Sequence, residues 1–357
     1  MWITSSLKAV KTPTNIALGN FDGVHLGHQR VMAEILADPT SSKSAYAQAL
    51  ASQPLAMLHS GMAASGYSYL SDQAASDDIE RPVSSVGSNL GDQPAAEYAT
   101  VVTFSPHPQE YFSGVSRPLL TPVAEKTWQL AQMGVDQLVM LPFNRALAEL
   151  GPEEFVSQIL IAGLQAKRIS VGSDFRFGKG RSGSAEGLQE IAAGYGVPVV
   201  RVPLRYETGD RISSSRIRQA LQRGELSETA GLLGHSYTLT GRVVQGKQLG
   251  RTMGFPTANL QMPSDKYLPC KGVYSVRVYG ASAEPLRGVM NLGSRPTVAG
   301  QDISVEVHVL DWSGDLYGQV LTVSLESFVR PEQKFDSLAS LKKQIAADCE
   351  VAIATLQ

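Results

Sequence analysis

The stretch Gly19-Asn-Phe-Asp-Gly-Val-His-Leu-Gly-His28, directly after the apolar run Asn15-Ile-Ala-Leu18, decides how the first half of this chain is read. The run reads as a short β-strand and the glycines as a turn. His28-Gln-Arg-Val-Met-Ala-Glu-Ile-Leu-Ala37 has the composition of a helix, with Val31, Met32, Ile35 and Leu36 at helical spacing. A strand turning through glycines into a helix presents free N–H groups and the positive end of the helix dipole, which favour a phosphate. Two imidazoles three residues apart at the helix start add neutral or cationic donors. His25 and His28 are also readable as a metal pair or as solvated surface histidines. Against zinc, no cysteine stands near, and Asp22 is the one adjacent carboxylate. The chemistry that suits the stretch is nucleotide handling.

Outward from it, apolar β-like runs alternate with helical patterns from Thr14 to about Gly234. Strands are expected at Ile16–Leu18, Tyr98–Phe104, Gln137–Pro142, Arg168–Gly172 and Val197–Pro203. Helices are expected near Val123–Met133, Glu153–Leu164, Ala185–Ala193 and Ser214–Leu232. Such alternation implies a parallel sheet covered on both faces, with ligands at the carboxyl ends of the strands. His25 and His28 stand at such an end, after the first expected strand. Residues 39–97 break the pattern: 59 positions hold 12 Ser and 11 Ala but two basic residues. That composition reads as a low-complexity, solvated insertion with room for a short helix around Ala45–Leu58.

After Gly234 the texture changes. Tyr237–Val244, Gly272–Tyr279, Leu286–Leu292, Ile303–Leu310 and Val320–Phe328 are β-rich, and Ser304-Val-Glu-Val-His-Val309 alternates strictly. Strands between Gly- and Pro-containing turns predict a small antiparallel β-barrel, followed by a terminal helix at Ser337–Leu356. The fold class is therefore α/β plus β, divided at 1–234 and 235–357.

Three later stretches extend the first one: Thr103-Phe-Ser-Pro-His-Pro108, Val171-Gly-Ser-Asp-Phe-Arg-Phe-Gly178 and Arg211-Ile-Ser-Ser-Ser-Arg-Ile-Arg218. Read alone, each has a plainer account. His107 is held in a rigid turn between prolines, and Phe175 and Phe177 suit core packing as well as stacking on a ring. Arg181 is a surface arginine or a phosphate ligand, and the serines cap a helix. Taken together and in order, the four stretches resemble the adenylyltransferase half of bacterial bifunctional riboflavin kinase/FAD synthetases. His-Leu-Gly-His matches the His-x-Gly-His signature of the nucleotidylyltransferase superfamily, and Ser105 stands where that family commonly has Glu. The resemblance implies a Rossmann-like domain in which His25 and His28 are electrostatic clamps on phosphates. It further implies that Ser214, Ser215 and Arg218 hold ATP phosphates, with Asn20, Asp22, Asp174, Arg181 and Arg211 completing the ligand-binding set.

Gly241-Arg-Val-Val-Gln-Gly-Lys-Gln248 nearly satisfies the phosphate-loop pattern. It lacks the Ser or Thr after Lys247 and lies among strands, which excludes that fold. Over Gly241–Leu260 the chain instead resembles riboflavin kinase. Gly246 and Gly250, with the charges of Lys247 and Arg251, are expected in a phosphate-covering loop. Thr257 and Asn259 lie two apart on one face of an extended segment. Their neutral oxygens suit Mg²⁺ shared with nucleotide phosphates. By the same resemblance Glu306 is the general base on the riboflavin hydroxyl; on its own it reads as a solvated strand carboxylate. Asn291 and Arg330, in motifs that continue the match, are expected ligand contacts, Arg330 being equally readable as a salt-bridge partner.

The function implied by the resemblance is bifunctional: ATP phosphorylates riboflavin to FMN, then adenylylates FMN to FAD with release of pyrophosphate. Composition does not oppose this. A chain of 357 residues accommodates two cores, and a formal net charge of −2 offers no general attraction for nucleic acid. Cys270 and Cys349 are too few for a disulfide framework and fit a reducing compartment. Neither a leader-like start nor a run of about 18 apolar residues is seen. A cytoplasmic enzyme of small molecules is expected, with no nucleic-acid or membrane partner and its oligomeric state open. The competing expectations are a chain with one silent module, or a binding protein without turnover. His25, His28 and Glu306 argue against the latter.

Overall fold

The computed structural model describes residues 1–36, 97–246, 250, 253–297 and 300–357. The insertion at 39–97, Glu97 excepted, and the helix expected within it lie outside the described residues.

Six strands form one sheet: β1 (Trp2–Thr4), β2 (Thr14–Leu18), β3 (Tyr98–Ser105), β4 (Gln137–Pro142), β5 (Ala166–Gly172) and, further along, β8 (Val199–Val202). Their order is β1-β4-β3-β2-β5-β8 and every pairing is parallel. Alternate residues face opposite layers, as the period of two requires. Ile16, Leu18, Val102, Val139 and Leu141 meet Phe155, Val156 and Leu160 on one side. Ala17, Val101 and Leu138 meet Met32, Ile35 and Leu130 on the other. The strand order reverses at β2, since the chain leaves it for β3 on one side and returns through β5 on the other. Parallel sheets open a crevice for ligands at that reversal.

Three expectations need correction. The edge strand β1 was not foreseen, because three residues with half-exposed side chains carry no periodic signal; the histidine motif therefore follows the second strand. The first helix, α1 (Leu26–Leu36), starts two residues earlier than composition suggested, so His28 lies in its first turn. The third concerns Ser214–Leu232, expected as one helix, which is two.

The remaining helices of this half are α2 (Pro108–Ser113), α3 (Val123–Gln132), α4 (Arg145–Glu149), α5 (Pro152–Glu154), α6 (Ala185–Ala193), α7 (Ser214–Arg223) and α8 (Leu226–Leu233). α5 runs on into a π-helical turn over Phe155–Gly163. Two short hairpins, β6 (Arg176–Phe177) with β7 (Gly183–Ser184) and β9 (Tyr206–Glu207) with β10 (Asp210–Arg211), decorate the carboxyl-end side. Gly224, at φ +73°, ends α7 in the left-handed cap that breaks the expected single helix.

Beyond Gly234 six strands close a barrel: β11 (Tyr237–Val244), β12 (Ala258–Gln261), β13 (Gly272–Tyr279), β14 (Leu286–Thr297), β15 (Gly300–Val309) and β16 (Val320–Pro331). All pairings are antiparallel in the order β11-β12-β15-β14-β13-β16. The terminal helix α9 (Leu338–Thr355) packs on β13, β14 and β16. Leu120, Ile217, Leu221, Leu226, Leu232 and Leu233 share one hydrophobic cluster with the barrel residues Tyr237, Leu239, Val276 and Val323. Side chains from both sides of residue 234 thus bury one another. No described helix is long and apolar enough to cross a membrane.

Candidate functional site

Two groups of expected residues gather in separate places. The first lies in the loop between β2 and α1. Phe21, Gly23 and Val24 all adopt left-handed backbone, at φ 49°, 92° and 44°. For Phe and Val this is strained, and a fold keeps such strain where loop geometry matters. The loop delivers His25 and His28 as a stacked pair, ring centroids 3.6 Å apart with planes 13° from parallel. The His28 backbone N–H donates to His25 Nδ1 at 3.3 Å, which leaves the His25 proton on Nε2. Burial holds the His25 pKa down at about 4. His28 is also held well below the usual range, by burial first and then by His25 and Lys126. At neutral pH both rings are uncharged.

Asp22 ties the loop down. Its Oδ1 accepts the Leu120 and Thr121 N–H groups at 2.8 and 3.3 Å, and its Oδ2 accepts Arg218 Nη2 at 2.5 Å. Arg218 also donates to Pro118 O, so its guanidinium is engaged by this knot. Asn20 has an exposed side chain, while its carbonyl accepts Thr103 Oγ1 and Lys126 Nζ, each at 3.1 Å.

Helix α7 begins beside the loop. Ser213 caps it, its hydroxyl accepting the Arg216 N–H. The Ser214 hydroxyl donates to Asp22 O at 2.7 Å, and Ser215 is exposed. The uncapped N–H groups of this helix therefore open against the loop that carries the two imidazoles. Arg211 pairs with Asp174 at 2.5 Å, both half exposed, and Arg181 is exposed with φ 59°. His107 is the N-cap of α2, accepting the Gln109 N–H at 3.1 Å. Phe175 and Phe177 stack on each other at 5.8 Å and Phe177 is buried, which is a packing role.

Two features here had no sequence signal strong enough to be read. Lys126 is buried on α3 with its ammonium on the site loop, whereas a lysine in a helical run reads as surface. Tyr111, Phe112 and Phe143 form an edge-to-face cluster past the Thr103–Pro108 turn, with Phe112 72% exposed. The aromatic run Tyr111-Phe112 directly after a motif was the available clue.

The second group lies on the barrel. Asn259 on β12, Glu306 on β15 and Asn291 on β14 occupy one cross-strand row. Val305 and Val307 point inward and are buried, so Glu306 is directed outward. Thr257 Oγ1 donates to Glu306 Oε2 at 3.3 Å. Gly246 passes so close over Asn259 that a Cβ there would collide with the amide, and a Cβ at Gly250 would meet the Phe255 carbonyl. Lys247 and Arg251 lie outside the described residues. By register Arg330 ends the same row, beyond Val273, which pairs with both Asn291 and Arg330, but its guanidinium is held in a bidentate pair by buried Asp348 of α9, Nε–Oδ1 2.9 Å and Nη2–Oδ2 2.7 Å. Among the described residues no three His, Cys, Asp or Glu side chains are grouped as for a metal ion.

The riboflavin kinase family model matches residues 233–356, and the FAD synthetase model matches 7–65 and 92–216. The chain is 45% identical over 249 residues to the bifunctional riboflavin kinase/FMN adenylyltransferase of Escherichia coli K12, covering 70% of this chain and 79% of that one. It is 34% identical to the Haemophilus influenzae protein of the same name, covering 94% and 92%. A crystal structure described as a macrolide-efflux protein from Streptococcus pneumoniae superposes with a TM-score of 0.73 at 27% identity, covering 98% and 97%. The chain belongs to the bifunctional riboflavin kinase/FMN adenylyltransferase family, and its two activities make FMN from riboflavin and FAD from FMN.

Proposed function

We propose that the two steps are divided between the two sites: adenylyl transfer at the His25/His28 loop within residues 1–234, and riboflavin phosphorylation at the Asn259–Glu306–Asn291 row within 235–357. The observation that carries this reading is the Ser214–Asp22 contact at 2.7 Å, which brings the open end of α7 beside the paired imidazoles. Helix N–H groups and imidazole N–H groups then converge where a triphosphate is best held.

In adenylyl transfer a phosphate oxygen of FMN attacks the α-phosphorus of ATP and pyrophosphate leaves. No protein nucleophile or base is needed, so the site acts by position and electrostatics. His25 and His28 donate to phosphate oxygens and hold the line of attack. The Ser215 hydroxyl and the backbone N–H groups of Ser214 and Ser215 take the leaving pyrophosphate, the Ser214 hydroxyl being held by Asp22 O. Arg181, Arg211 and Asp174 line the nucleotide side. Arg218, engaged by Asp22, fixes the loop as much as it meets phosphate. Phe112, the exposed ring of the Tyr111–Phe112–Phe143 cluster, offers an aromatic surface on which an isoalloxazine ring can stack.

In the kinase step Glu306 takes the proton of the riboflavin terminal hydroxyl, and the Thr257 hydroxyl holds its carboxylate in place. The oxygens of Thr257 and Asn259 are hard, neutral donors that fit Mg²⁺ shared with ATP phosphates. Bound there, Mg²⁺ would neutralise triphosphate charge.

The test is a time course on the purified chain with riboflavin, ATP and Mg²⁺, separating riboflavin, FMN and FAD. FMN is expected before FAD, with chelator suppressing FMN formation. Glu306→Gln should abolish FMN production yet adenylylate supplied FMN. His28→Ala should lose about 10²-fold or more in adenylyl transfer with the kinase intact. Equal loss of both activities in either variant would overturn the division.

A further inference from the structure

Lys266 lies in the turn after β12, on the kinase side of the chain, and is buried. Its side-chain hydrogen bonds nevertheless reach into the other half. Its Nζ donates to Glu125 Oε2 at 2.5 Å and to Leu120 O at 2.7 Å. Tyr237 lies beneath it, ring centroid 4.4 Å away. On either side of Lys266 the backbone pairs with the same segment: Leu119 N–H donates to Asp265 O at 2.6 Å, and Tyr267 N–H to Leu119 O at 2.8 Å.

Residues Pro118–Thr121 thus form a strap held along one edge by the barrel. Its other edge is held by the adenylyl-transfer loop. Asp22 Oδ1 accepts Leu120 N–H at 2.8 Å, Thr121 Oγ1 accepts Gly23 N–H at 2.9 Å, and Pro118 O accepts Arg218 at 2.9 Å. The peptide groups of Leu120 join the two: its N–H serves Asp22 and its C=O serves Lys266. A second route runs through α3. Glu125 is fixed by Lys266, and its neighbour Lys126 holds Asn20 O.

The geometry points to Lys266 as a positioning residue for adenylyl transfer: a lysine of the kinase half that keeps Asp22, Lys126 and the histidine loop in place. The inference rests on adenylyl transfer taking place at His25 and His28. Lys266 makes no contact with Thr257, Asn259, Glu306 or Asn291 among its hydrogen bonds, so the phosphorylation step is independent of it.

The experiment uses the full chain with Lys266→Met and measures both steps separately, riboflavin to FMN and supplied FMN to FAD, beside thermal unfolding. Adenylyl transfer should fall about 10- to 100-fold, in kcat more than in KM for ATP, because misplaced groups lose transition-state alignment. Kinase kcat and KM should stay within about twofold, since catalytic alignment there is untouched. Lys266→Met also strands the Glu125 carboxylate, which destabilises a fold. The Glu125→Gln/Lys266→Met double variant removes both charges of this buried pair and carries the test if the single variant does not fold. It should keep the kinase and remain slow in adenylyl transfer. Full recovery of adenylyl transfer in the double variant, or loss of both activities in step with the unfolding midpoint, would reduce Lys266 to a stabilising ion pair. Should His28→Ala leave FAD formation untouched, the location of the site fails, not the strap.

Discussion

His25 and His28 show how a motif's meaning changes once burial is known. Their spacing was legible, and so was a preference for phosphate. Their charge was not, because an exposed histidine titrates near 6.5 and only packing moves it. In the folded protein burial keeps both rings neutral, with His25 protonating at about 4. The unfolded chain therefore binds more protons between about pH 4 and 6.5. The stability contributed by keeping the rings neutral is fully present above that window and lost as pH falls through it. For His25 alone this is on the order of 3 kcal/mol. Urea midpoints of the ligand-free protein should drop from pH 7.5 to 5, and His25→Asn should flatten the slope, leaving the part due to His28, His107 and His235, whose pKa values burial also lowers. A flat profile in the unsubstituted protein would show that the pair is not held neutral. Lys126 and Lys266 were not legible at all. A lysine in sequence reads as solvent-facing, and the partners stand 106 residues away for Lys126 and 141 and 146 residues away for Lys266.

At the scale of elements, the strands of both halves were readable because alternating or continuous apolar runs of five residues or more leave a period. β1 left none, the two-residue strands β6, β7, β9 and β10 are too short to leave one, and β12 was seen only as an extended motif. The α7–α8 break is different, since its signal was present and outweighed. The apolar spacing runs through Gly224, yet the residue stands at φ +73° with its missing Cβ 3.0 Å from Phe328 Cγ. Continuing the helix would drive α8 away from β16, against which it packs. Gly224→Ala should cost about 1–2 kcal/mol through the left-handed backbone and the contact with Phe328, read as a lowered urea midpoint with both activities retained at low temperature. An unchanged midpoint would mean that the cap relaxes without penalty.

The molecule as a whole joins its halves more closely than the change of texture at Gly234 suggests. Helices α7 and α8 and Leu120 enter the same hydrophobic cluster as the barrel, and the buried Glu125–Lys266 pair crosses the same boundary. An interface this apolar makes the two parts unfold together. Calorimetry of the full chain should show one transition. Residues 235–357 alone should melt lower than the barrel does within the chain, because Tyr237 loses Leu120, whose carbonyl accepts its hydroxyl, and the barrel loses the leucines of α7 and α8 that share its cluster. Two resolved transitions, with the isolated barrel as stable as the barrel in the chain, would refute the coupling.

The class of each half, the parallel sheet and the barrel, and the family with its two reactions are all legible in the string of residues. Periodicity and contiguous motifs are local properties, and they survive in the unfolded string. Folding alone draws Arg218 onto Asp22 and Arg330 onto Asp348, turns Lys126 onto the site loop, and brings Lys266 from the barrel half to the strap. These outcomes depend on which distant groups are buried together, and a buried charge settles on whichever partner the packing brings within hydrogen-bond reach.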